Sequence, residues 1–428
     1  MVAQRKHVYI PIFLYSITAS MFMPVMQSFL FAKVCHFQLD SNGTSLNCTN
    51  KEASKNVTVH KETNMIFLFA SVAICLTAMA SSGLIGRVSD KRSRKKALLI
   101  PFVGLILSDV TLIVQVYFDQ ISPYFLIVSE FIFGCFGGYI AIFTSAFAFL
   151  SAFKSTDEVR SKSIARMEGL IGLGGMVGFM ISSQIAKITY FYGCIIFFCI
   201  HFLCLLYISF VTEDIETESS KEAEILTDQE VAPIISDSRR RWVVKLVYVC
   251  FACSFFAFIG STHILFFYLK SRFDWDAEQY SYLRVGIQFS STFMALVAYP
   301  WLKGKGIKDT TLSIVGLLAR ALSKLWIGVV PNASLMITCV FFEMFSRFPA
   351  TALRSLIAAN VDAHERGSAF AIVGTIEAFC NLLAALVFHT LFPFSLSFFP
   401  QLSFIVMAVL IIPPTFLLML FKKSFVEN

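Results

Sequence analysis

Apolar residues along this chain fall in runs of roughly 18 to 28 separated by short polar breaks, the length a helix needs to cross a bilayer. The runs predict twelve spans. Six cover residues 8–33, 64–86, 97–118, 124–150, 164–187 and 190–211, and six more cover 242–269, 279–302, 309–330, 334–357, 368–391 and 398–421. Only two connections are long, 34–63 and 212–241. The second carries nine acidic residues between Glu213 and Asp237, cannot bury a core, and reads as a disordered acidic linker. It divides the chain into an N-terminal six-helix bundle (1–211) and a C-terminal one (242–428), the layout of transporters built from two related halves.

Composition agrees. Of 428 residues 57% are apolar and 15% charged, against about 25% charged in a soluble domain, so the chain reads as an all-α membrane protein. Basic residues gather in alternate connections: Arg87 to Lys96, Lys154 to Arg166, Arg239 to Arg241, Lys303 to Lys308, and Lys422 with Lys423. By the positive-inside rule these lie in the cytoplasm with both termini. The net charge of +7 then follows from topology and calls for no nucleic-acid partner.

The 34–63 loop falls on the opposite side and holds the sequons of Asn42, Asn47 and Asn56, which predict a glycoprotein. Cys35 and Cys48 share this loop, and a disulfide between them fits an oxidising compartment. The other nine cysteines sit in spans as small apolar residues. Neither metal-ligand spacing nor a cofactor-cradling loop nor a nucleophile–base pair is evident, so the expected protein is not an enzyme and carries no metal or cofactor.

Ionisable groups at bilayer depth cost on the order of 2.5–3.5 kcal/mol each and mark function by default. Span ten carries Glu343, Arg347 and Arg354, which fall within about 40° of one another on an unbroken helix. That face reads as an anion-binding stripe beside its own counter-ion. Glu168, about one turn into span five, is placed to load and release protons near neutral pH. Asp109, Glu130 and Glu377 are further carboxylates in spans, with Arg320 and Lys324 as possible partners. His263 reads as a proton sensor, and His201 and His389 as interfacial or hydrogen-bonded histidines.

The second connection reads Gly86-Arg87-Val88-Ser89-Asp90-Lys91-Arg92-Ser93-Arg94-Lys95-Lys96. It resembles the gating signature of the major facilitator superfamily, with Ser93 where a second glycine usually stands. Gly86 is expected to end a helix where a backbone approaches closely, and Asp90, Lys91 and Arg94 to latch the two halves. Span five, from Glu168 to Gly178, has glycines at helical spacing, which let helices approach.

Further strings are similar to family 46 of the solute carriers, the group of the proton-coupled folate transporter and the thymic stromal cotransporter. They are Glu168-x-x-Ile171-Gly172-x-x-Gly175-Met176, Phe133-Gly134-Cys135-Phe136-Gly137-Gly138, Phe273-Asp274-Trp275 and the stretch Pro349 to Pro413. The resemblance implies a major facilitator fold of twelve transmembrane helices in two six-helix bundles around a central cavity. It makes Glu168 the coupling carboxylate and Arg354 a residue that shapes substrate and proton affinity. Departures are Cys135 in place of the family's fourth-helix aspartate, apolar residues around Ile127 in place of an arginine, Phe258 in place of a histidine, and Asp274 in place of a cysteine.

The expected function is import of an organic anion (folate-like, muropeptide-like or otherwise conjugated) by alternating access, with proton symport. The alternatives are a non-transporting receptor or scaffold of the same fold and a proton-independent facilitator. The expected protein is a monomer in contact with membrane lipid, in the plasma or endolysosomal membrane.

Overall fold

Among the described residues, eleven helices are long and apolar enough to cross a membrane. They are Tyr9–Phe37, Val57–Gly86, Arg94–Tyr117, Pro123–Phe147, Tyr190–Phe210, Trp242–Phe273, Ala277–Gly304, Asp309–Val329, Ala333–Ile357, Ile372–Ser395 and Leu402–Leu420. The expected fifth position holds the shorter apolar stretch Gly169–Ile185, inside a helix that runs Asp157–Ile188. The computed structural model describes residues 8–42, 56–91, 93–151, 157–214, 238–360 and 366–422, and helix is the only regular secondary structure among them. Most of the expected acidic linker, the sequon residue Asn47 and Cys48 lie outside the described residues.

By contacts the chain divides into two compact units, Met1–Asp228 with Leu269–Val285, and Gln229–Tyr268 with Gly286–Asn428. In the first unit spans one, five and six share a core of Ile17, Met21, Val25, Ile185 and Phe197. The glycine spacing of span five brings it against span one as expected. A methyl group on Gly174 would come 2.8 Å from the Phe13 carbonyl oxygen, and one on Gly178 would run into that of Ile17. Only glycines let the two helix backbones touch there.

Span four is broken. Its helices Leu126–Cys135 and Gly138–Ser151 meet at Gly137 and Gly138, with φ of 96° and 56°, a conformation that residues with a Cβ seldom take. In the second unit span ten is broken twice, into the helices Ala333–Met336, Cys339–Glu343 and Phe348–Asn360.

Several expectations are corrected by these helices. The first long connection is shorter than expected, because helices run Tyr9–Asn42 and Val57–Lys91 into it. Gly86 does not end a helix, since the second helix continues through it to Lys91, and a methyl group added there would meet nothing within 4 Å. Because span ten is interrupted between Glu343 and Phe348, the ideal helical angle between Glu343 and Arg354 does not apply. Asp274, the cysteine position of the similar family, takes φ of 60° just past the end of span seven. There its N–H donates to the Lys270 carbonyl at 3.0 Å and that of Trp275 to Leu269 at 3.4 Å, closing the helix end as a left-handed cap does.

Candidate functional site

Each unit places ionisable side chains inside its spans. In the second unit span nine, Asp309–Val329, buries Arg320 and Lys324. Lys324 Nζ lies 2.5 Å from Glu343 Oε1 and donates to Ser261 Oγ at 3.1 Å, and Ser323 Oγ donates to the same carboxylate oxygen at 2.7 Å. Glu343 is therefore neutralised from span nine, not by Arg347 within its own span. Arg320 donates to the Ser254 carbonyl at 2.8 Å, to Ser254 Oγ at 2.5 Å and to the Ser346 carbonyl, with its guanidinium 5.2 Å from the Phe258 ring. It thereby satisfies a carbonyl left without a helical partner where span ten is interrupted.

Arg354 pairs with Glu377 of span eleven, and its guanidinium lies 5.6 Å from the Phe251 ring. Their side chains are 36% and 29% exposed. Arg347 is half-buried, and the expected stripe of Glu343, Arg347 and Arg354 is not one cluster, because Glu343 and Arg354 turn to different helices. His263 faces Asn381 Oδ1 at 3.2 Å through Nε2, and its Nδ1 lies 3.2 Å from His389 Nε2. A neutral His263 that donates to Asn381 accepts from His389 at the other nitrogen.

The first unit has its own cluster. Asp109 on span three meets His201 Nδ1 on span six at 2.6 Å, and His201 Nε2 lies 2.7 Å from Thr18 Oγ1 on span one. Asp109 is thus served by a histidine and Glu377 by Arg354, which corrects the partnership anticipated for Arg320 and Lys324. Glu168 belongs to the helix Asp157–Ile188, but its side chain lies outside the described residues.

Of the gating loop, the side chains of Asp90 and Lys91 also lie outside the described residues, and Arg94 is half-buried. Ser93, the departure from the signature, caps the third span. Its Oγ accepts from the Lys96 N–H at 3.0 Å and donates to the Asp214 carboxylate, which also accepts from the Lys95 N–H at 3.2 Å. A glycine at this position could make neither of the two bonds of the Ser93 hydroxyl.

Cys35 is disulfide-bonded, while its expected partner Cys48 lies outside the described residues. Asn56 Oδ1 accepts from the Thr58 N–H at 2.9 Å and caps the second helix, and Asn42 ends the first. Among the described residues no group of three or more His, Cys, Asp or Glu is placed to hold a metal ion.

Sequence reasoning does not reach the partners across spans. Asn381, Ser254, Ser261 and Thr18 are uncharged and carry no signal beyond polarity in an apolar run. Their roles emerge only once neighbouring helices are rotated against one another.

A family model described as Major Facilitator Superfamily matches residues 8–385. The lysosomal proton-coupled steroid conjugate and bile acid symporter SLC46A3 of Gallus gallus is 21% identical over 94% of this chain and 91% of that protein. The probable peptidoglycan muropeptide transporter SLC46 of Drosophila melanogaster is 21% identical over 72% of this chain and 63% of that protein. Among solved structures, the human organic anion transporter MFSD10 (TETRAN) superposes with a TM-score of 0.68 at 15% identity, over 97% of this chain and 98% of that one.

Proposed function

We propose that this chain, which belongs to the Major Facilitator Superfamily, imports an organic anion together with protons by alternating access. That it is a multi-pass membrane transporter follows from the family and from its apolar helices; the anion and the proton are our reading. The observation that carries it is Arg354, a partly exposed cation inside a span, where a charge marks a substrate path by default. Its planar guanidinium suits a carboxylate or sulfate, which it can bind through two parallel N–H groups. The similarity to a steroid-conjugate and bile-acid symporter and to a probable muropeptide transporter supports large conjugated anions as the substrate class. An endolysosomal or plasma membrane is the proposed location.

Glu168 is the proposed carboxylate that carries the driving proton, and Asp90, Lys91 and Arg94 the proposed latch. The test is concentrative uptake of a labelled steroid sulfate by proteoliposomes with and without an inward proton gradient. Arg354→Ala should lose uptake under both conditions, and Glu168→Gln should lose the response to the gradient. Wild-type behaviour in both variants would remove these residues from the transport path.

A further inference from the structure

Arg354–Glu377 is an ion pair inside the spans with both partners more than a quarter exposed. The pairs Lys324–Glu343 and His201–Asp109, by contrast, are shut away at 5% exposure or less. Ionisable side chains in spans face the protein interior or a water-filled space rather than lipid, so the open face of this pair marks such a space. Arg354 also has a second support, the Phe251 ring, which would hold the guanidinium if the carboxylate let go.

Neighbouring ionisable groups do not substitute for Glu377. Asp309, reached through Ser355 next to Arg354, is occupied by Ser355 Oγ at 2.6 Å, Tyr299 at 2.9 Å and Lys303 at 3.1 Å. From span seven come Tyr248, which donates to the Ala369 carbonyl, and Cys253; from span eleven comes Cys380, which lies close enough to feel the charge of Glu377. The thiols and the phenol carry no charge that could replace a carboxylate at neutral pH.

We infer that Glu377 is a proton-labile stand-in for the substrate, occupying Arg354 until protonation releases the guanidinium to an incoming anion. A carboxylate and an anionic substrate compete for one cation. Adding a proton to Glu377 removes its charge and leaves Arg354 free, so binding of the anion and of the proton are favoured together. This rests on the reading of Arg354 as the anion anchor, and it assigns the proton dependence of binding to a residue other than Glu168.

The test is equilibrium binding of a labelled steroid sulfate, whose charge is fixed over the range, to the purified full chain without any gradient. Wild-type Kd should rise with pH, by up to about tenfold per pH unit, as the competent fraction falls. Glu377→Gln should bind with one Kd at all pH values, and Glu377→Asp should keep a pH response with a moved midpoint. A pH response unchanged in Glu377→Gln, or a midpoint unmoved in Glu377→Asp, overturns the inference. If instead Arg354→Ala binds like wild type, the reading of Arg354 itself has failed. Infrared difference spectra between acid and neutral pH give a readout free of ligand: the protonated-carboxyl signal of wild type should lose one component in Glu377→Gln while that of Glu168 remains, and a signal identical to wild type in that variant also overturns the inference.

Discussion

Asp109 and His201 meet at 2.6 Å with both side chains almost wholly buried, tying span three to span six. The imidazole also reaches Thr18, so three helices converge on one ring. Removing one member of a buried hydrogen-bonded pair leaves the other unsatisfied at a cost of about 1–3 kcal/mol, more where that group is charged, whereas replacing both with apolar residues can be nearly neutral. His201→Leu should therefore lower the thermal midpoint in detergent sharply, and the double variant Asp109→Leu, His201→Leu should recover most of the loss. Additive losses in the double variant would show that the two side chains act independently.

The contact between spans one and five makes a second prediction. Gly178→Ala should destabilise by about 1–3 kcal/mol, the usual cost of overpacking. Gly83→Ala, at a site with nothing within 4 Å, should be neutral or stabilise by up to about 1 kcal/mol through helix propensity. Thermal unfolding of the two variants side by side checks the difference.

At the start of span three, Ser93→Ala should cost about 1 kcal/mol of local stability and Ser93→Gly only a few tenths through the cap itself. The readout is hydrogen exchange at the Lys95 and Lys96 amides, which should quicken about fivefold in Ser93→Ala. Equal exchange in wild type and Ser93→Ala would remove the cap from the account.

The spans were legible because a bilayer imposes a length on every apolar run, and the glycines of span five because close helix contact demands small side chains. Helix ends were less so: nothing in the polarity of residues 34–42 or 57–63 stops a helix from continuing beyond the membrane. The break at Gly137 and Gly138 had a visible cause, and so did the interruption after Glu343, which runs up to Pro349, a residue with no N–H to offer the Phe345 carbonyl. Charged residues announced themselves singly, but their pairing did not. Whether Lys324 reaches Glu343 or another acid depends on how spans nine and ten are rotated, a property of packing between helices rather than of either segment.

Arg320 grips main-chain oxygens at Ser254 and Ser346. A carbonyl is common to all residue types, so the bond itself does not depend on the side chain at position 346, which burial still keeps small. Exchange among small side chains should be tolerated there and not at 320, where one guanidinium reaches both carbonyls at once. The interruption of span ten is thus held by a residue distant in sequence, and its permanence is inherited through span nine.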